Sequence, residues 1–147
     1  MPEKRLDEAS AVQSLNRILE LELAGVVRYT HYSFMVYGYN RIPIVSWLRS
    51  QADESLLHAQ EAGELITQLE GHPSLGIGPL LETHSHDIAD ILEESLKHED
   101  GGLTAYGDLL ALVEGRYVML EEYARRMISD ETQHVGEVKK MLRAPGD

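Results

Sequence analysis

Along the chain, apolar side chains recur at spacings of three, four and seven, and no stretch alternates with the period of two that marks a strand. Leu15, Leu19, Val26, Tyr29, Ser33 and Val36 trace one face of a helix over about residues 10–37, with Ser10 as its expected N-cap and Asp7 as the second choice. Residues 1–8 read as a polar lead-in. Gly38, Asn40 and Pro43 make a turn. A second helix then spans about Pro43–Glu70, with Ile44, Trp47, Leu48, Gln51, His58, Ala62, Leu65 and Leu69 on its inward stripe. Gly71, Pro73, Gly76, Gly78 and Pro79 end it, and the stretch to about Thr83 is too long and too rich in glycine and proline for a tight helix hairpin. A crossover from one end of a bundle to the other fits it. A third helix from near Ser85 carries Ile88, Leu92, Leu96, Leu103, Tyr106, Leu110 and Val113. Glu114-Gly115-Arg116 joins it to a fourth over about Tyr117–Leu142, with Leu120, Tyr123, Met127, Val138 and Met141 inward. The pattern predicts an all-α chain: a four-helix bundle of two helical hairpins joined by a long crossover.

Composition narrows the function. A chain of 147 residues with 43% apolar content is expected to form one domain over residues 1–147. It has no cysteine, which excludes disulfides, thiolate metal sites and a cysteine nucleophile. A net charge of −12 argues against a nucleic-acid partner and suits the attraction of cations. No signal peptide and no membrane-length apolar run is visible, so a cytoplasmic protein is expected.

The stripes contain charges where leucines belong. Glu22 sits among the apolar positions of helix one, Glu99 among those of helix three, Glu131 and His134 among those of helix four, and His58 on helix two with Glu54 one turn before it. One such glutamate is ordinarily a boundary residue whose head reaches water. Their arrangement argues otherwise. Glu22 and Glu54 are 32 residues apart, as are Glu99 and Glu131. A tyrosine follows the first glutamate of each pair by seven, Tyr29 and Tyr106. An aspartate precedes the second, Asp53 and Asp130, and a histidine follows it. The two hairpins carry one chemical pattern twice. Four carboxylates and two imidazoles in one core repel and stay partly protonated unless cations join them. Two divalent ions balance four carboxylates, and a set of oxygens with one nitrogen per ion suits iron(II) or manganese(II).

At this point the chain resembles the ferritin-like superfamily, and bacterioferritin in particular. The resemblance rests on Leu15-Asn16-Arg17-Ile18-Leu19 with Glu22 and Tyr29, on His58-Ala59 and Leu69-Glu70-Gly71-His72-Pro73-Ser74-Leu75, and on Asp130-Glu131-Thr132-Gln133-His134. It implies that Glu22, Glu54, His58, Glu99, Glu131 and His134 form a ferroxidase centre, at once metal-binding and catalytic. Such a centre binds two Fe²⁺ and oxidises them with O₂ or H₂O₂, for iron storage or detoxification in a homo-oligomer.

The chain departs from that pattern in four places. The family's second helix has Glu and His three apart, whereas Ser55 holds that slot here and Glu54 is four before His58. A π-bulge or an ordinary i, i+4 pair would accommodate this. Counting back from Glu131 puts His98, not Glu99, in the family's third-helix slot; stripe and repeat favour Glu99, and His98 is the extra or alternative ligand. The family's haem-binding methionine is replaced by Leu56, so no haem is expected by that mode. The chain ends 13 residues after His134, too few for the fifth helix of the large cages, so a dimer is as much expected as a 24-subunit shell.

Asp53 and Asp130 are candidates to accept the histidines' second N–H, and Tyr29 and Tyr106 to hydrogen-bond the carboxylates or supply an electron. Trp47 is assigned to core or subunit contact. His72, His84 and His86 fall in or near the crossover, where solvated side chains are expected and a surface metal site is the alternative. Two other functions fit the same residues: a di-iron or di-manganese oxidoreductase (a rubrerythrin-like peroxidase or small-molecule oxidase), and a bundle that has lost its metals and serves structure or interaction.

Overall fold

The computed structural model describes residues 5–146. Four helices, α1 (Glu8–Met35), α2 (Arg41–Gln68), α3 (Ile88–Val113) and α4 (Val118–Leu142), form the bundle, and no strand occurs among the described residues. α1 and α2 form one hairpin, α3 and α4 the other, and α1 packs against α3. Asp7, not Ser10, is the cap of α1: its carboxylate accepts the Ser10 N–H at 3.1 Å and the Ser10 hydroxyl at 2.7 Å. The helix therefore begins inside the polar lead-in, of which residues 1–4 lie outside the described residues. α2 begins two residues before Pro43, because a first-turn residue needs no intrahelical N–H bond. Its far end closes as a Schellman turn. The Gly71 N–H bonds to the Ile66 carbonyl at 2.9 Å and the Glu70 N–H to Thr67 at 3.0 Å, which leaves Glu70 left-handed at φ 62°. α3 starts at Ile88, three residues later than the pattern predicts, because Ser85 instead bonds the Asp90 carboxylate at 2.6 Å.

Residues 69–87 do form the crossover, and they lie along α1. Asn16 holds both ends of one turn of it: its amide donates to the His72 carbonyl at 3.1 Å and its oxygen accepts the Ser74 N–H at 2.7 Å. The Gly78 N–H donates to the Glu20 carbonyl at 2.9 Å. Further on, the buried Arg28 donates to the carbonyls of Leu80 and, at 2.9 Å, Glu94. The buried Glu94 carboxylate accepts bonds from the Tyr32 and Thr83 hydroxyls. The buried stripe of α3 is rotated from the expected one. Leu96, Leu103 and Leu110 are only half-buried, while Ile91, Ser95, Ala105 and Leu109 are buried.

Two apolar clusters fill the interior. One gathers Leu15, Ile18, Ile66, Leu109, Val113, Leu120 and Met127 from all four helices. The other gathers Tyr29, Tyr32, Val36, Val45, Leu48 and Ile91 from the first three. Between them in sequence on α1, α2 and α3, and beyond the first cluster on α4, lies the polar layer of Glu22, Ser55, His58, His98, Glu99 and Glu131, all buried. The apolar clusters hold the helices while the layer between them carries the charge.

Candidate metal centre

Each helix places its charged residues at the level of this layer. On α1 it is Glu22; its helix runs so close to α2 and α3 that a side chain on Gly25 would meet Ser55 Oγ at 2.7 Å and His98 Nε2 at 3.1 Å. On α2, His58 turns Nδ1 inward, 3.5 Å from Glu22 Oε2 and 3.5 Å from Glu131 Oε1. On α4, Glu131 and His134 share a face, with His134 Nδ1 3.8 Å from Glu131 Oε2. Two triads result, Glu22–His58–Glu131 and Glu99–Glu131–His134, and Glu131 belongs to both. In each triad the potential ligand atoms lie within 4.8 Å of one another.

Glu54 stands at the rim. Its Oε1 lies 3.1 Å from His134 Nε2 and 3.7 Å from His58 Nε2, and its side chain keeps 35% of its exposure. α2 is regular α-helix at this point, so of the two ways to accommodate the longer spacing the structure has the i, i+4 pair and no π-bulge. Ser55, in the family's glutamate slot, is buried toward Gly25 and lines the same cavity without a carboxylate to offer. His98 lines the same cavity but belongs to neither triad. Burial, reinforced by the positive charge of Arg28, lowers its pKa to about 4 and keeps the ring neutral.

The second-layer expectations divide. Tyr29 donates its hydroxyl to Glu99 Oε1, and Tyr106 donates to Glu22 Oε1 at 3.0 Å, so each tyrosine holds the carboxylate of the opposite hairpin. Burial and the facing carboxylates raise both phenol pKa values, which keeps them donors. Asp53 and Asp130 do not serve the histidines: Asp53 is exposed, and neither is hydrogen-bonded to an imidazole among the described residues. One residue of offset on a helix rotates a side chain by about 100°, which carries both off the inner face. Trp47 is half-buried, edge-on to Tyr29 at 6.4 Å.

The electrostatics call for cations. No lysine or arginine lines the cavity around the cluster. Burial raises the pKa of Glu22, and the neighbouring Glu99 adds to this, while His58 and Tyr106 act against it. Glu99 is raised well above its ordinary value by burial and then by Glu131, with partial relief from Tyr29 and His134. Burial opposes charge on His58, but Glu131 and Glu22 outweigh it and carry the imidazole to about 10. A proton on His58 thus stands between two carboxylates where a metal ion would serve both. Four carboxylates with one imidazole for each of two divalent ions give a neutral site, so the residues present fit a dinuclear centre. The sequence did not reveal Arg28 and Glu94, which fix the crossover, because a buried Arg has no periodic signature of its own.

The ferritin-like domain family model matches residues 12–144. No curated protein matches the sequence. Among solved structures, a ferritin-like di-iron carboxylate protein of Bacillus anthracis superimposes with TM-score 0.84 at 24% identity, over 93% of this chain and 98% of its own. A dodecameric thioferritin, the bacterioferritin-related protein of Bacteroides fragilis, gives 0.87 at 21%, over 94% and 87%. The Rhodobacter capsulatus bacterioferritin, with a metal-free dinuclear site and haem iron, gives 0.83 at 23%, over 95% and 86%. With its four-helix bundle, long crossover and paired carboxylate–histidine layer, the chain belongs to the ferritin-like domain family.

Proposed function

We propose that the protein is a di-iron ferroxidase of the ferritin and bacterioferritin type, with Glu22, Glu54, His58, Glu99, Glu131 and His134 as the ligands of two iron ions. The observation that carries this reading is Glu131, shared by two triads that otherwise draw on different helices. A carboxylate so placed would serve both ions, with Glu22 and His58 available to hold one and Glu99 and His134 the other. Glu54, four residues before His58 and beside His134, closes the open edge. Tyr29 and Tyr106 hold the terminal carboxylates in orientation through their hydroxyls. Iron is the substrate: each Fe²⁺ gives up one electron, and the pair reduces O₂ with two protons to H₂O₂, or H₂O₂ with two protons to two waters. Manganese(II) fits the same donors. Exposed apolar side chains at the α1–α2 turn, Phe34, Tyr37, Tyr39 and Ile42, support a homo-oligomer.

Adding two Fe²⁺ per chain to the metal-free protein in air should consume O₂ with a transient near-ultraviolet absorbance, and Glu22→Ala and Glu131→Ala should slow this by at least about 100-fold. Variants that oxidise iron as fast as the parent would refute the assignment. Metal content by mass spectrometry after expression separates iron from manganese.

A further inference from the structure

A second cluster lies away from the carboxylate layer, where the crossover meets α1. Three side chains, His31 from α1 and Glu82 and His86 from the crossover, bring potential ligand atoms within 4.8 Å of one another. His31 Nε2 is 2.5 Å from Glu82 Oε2, and His86 Nε2 is 3.1 Å from the same oxygen. The two rings stand 5.9 Å apart, centroid to centroid, and tilted by 70°. Both imidazoles therefore aim the same nitrogen at one carboxylate from different directions. Glu82 is held in place independently, its Oε1 accepting the backbone N–H of His84 at 2.5 Å. The backbone is bent to aim it: Leu81 (φ 58°) and His84 (φ 60°) are both left-handed, a conformation that costs a non-glycine residue about 1–2 kcal/mol. The Glu82 and His86 side chains retain 19% of their exposure and His31 45%, so the cluster is open to solvent.

We propose that His31, Glu82 and His86 form a separate binding site for a single divalent transition-metal ion, of the zinc class, that clamps the crossover onto α1. Two imidazoles and one carboxylate are the donors of an open, three-residue zinc site, with water in the fourth position. The nitrogen content disfavours Mg²⁺ and Ca²⁺, which take oxygen donors. Bond lengths near 2.0–2.1 Å in a tetrahedron set the ligand atoms about 3.3 Å apart, so the two histidine–carboxylate spacings, 2.5 and 3.1 Å, need to open by less than about 1 Å, and all three ligand atoms already lie within 4.8 Å of one another. The segment that the ion would fasten has a consequence for the interior: Gly78, Pro79 and Leu81 cover a cavity of about 300 Å³ whose wall includes Leu21 and His98, which also line the carboxylate layer. The proposal is independent of what that layer binds.

Zn²⁺ binding to the full chain, measured by equilibrium dialysis, tests it. The parent should bind one Zn²⁺ more per chain than His31→Gln, His86→Ala or Glu82→Gln. In the parent and in Glu131→Ala, Zn²⁺ should slow amide exchange at residues 80–86 by at least about 10-fold. Glu82→Gln keeps the shape of the side chain and so guards against loss by misfolding, which circular dichroism would also report. Equal zinc counts in the parent and all three variants, or unchanged exchange in the crossover on adding Zn²⁺, would overturn the proposal.

Discussion

Replacing Glu99 by Gln should make the metal-free protein more stable. Glu99 is buried, faces Glu131, and is held above its ordinary carboxyl pKa by burial and by that neighbour. Below pH 4.5 the carboxyl is protonated in the folded and unfolded chains alike, and the substitution is nearly silent. Above that pH the unfolded chain releases the proton while the folded one keeps it. The folded state then binds more protons, and stability falls as pH rises, by about 1.4 kcal/mol per pH unit until the folded carboxyl ionises. At pH 6.5 the parent has therefore lost stability that the glutamine variant does not lose. Glutamine retains the acceptor for Tyr29 and supplies an N–H toward Glu131. In a domain of this size each kcal/mol gained raises Tm by roughly 2–4 °C. Urea denaturation with chelator present, at pH 4.5, 5.5 and 6.5, should show a difference that grows from near zero. With Mn²⁺ at about 100 times its Kd, the parent should gain about 2.7 kcal/mol and the variant far less, closing or reversing the order. A variant no more stable than the parent at pH 6.5, or a stabilisation that does not change with pH, would refute the electrostatic account of the layer.

Three further outcomes are expected. In metal-free protein the contribution of His58 is full below pH 6.5 and lost as pH rises through about 10, so stability should decline between pH 7 and 9 by at most about 1.4 kcal/mol per unit, a slope that His58→Gln should lack in the same urea titrations. Gly25→Ala should destabilise by about 1–2 kcal/mol, because the new methyl meets Ser55 and His98, whereas Gly63→Ala, with nothing within 4 Å, should stabilise by up to about 1 kcal/mol; thermal unfolding distinguishes them by sign. Glu70→Gly should raise stability by about 0.5–1 kcal/mol in the same assay by relieving the left-handed residue of the Schellman turn.

The candidate site was legible because its signal is a contradiction. Charges placed on an apolar stripe have to be explained, and the same contradiction at the same 32-residue spacing in both hairpins makes coincidence a poor explanation. Glu22, His58, Glu99, Glu131 and His134 fall into the two triads for that reason. Asp53 and Asp130 were misread because adjacency in sequence is not adjacency on a helix; one residue is a rotation of about 100°. The choice of Ser10 over Asp7 as cap failed on a smaller point: both side chains can cap, and the bond actually made is Asp7 to Ser10 N.

Helical periodicity, the charges that interrupt it and their repetition were sufficient to determine the all-α class, the order of elements and the level at which the charged residues gather, since all of these follow from local geometry and the cost of burying charge. Tertiary structure alone decided which groups meet across helices. It crossed Tyr29 to Glu99 and Tyr106 to Glu22, gave Glu131 to both triads while excluding His98, and brought His31 to Glu82 and His86 across a crossover that has no period to read. Those pairings depend on how closely α1 approaches its neighbours at Gly25 and on the path of residues 69–87, and interhelical distance and loop path leave no periodic trace in a sequence.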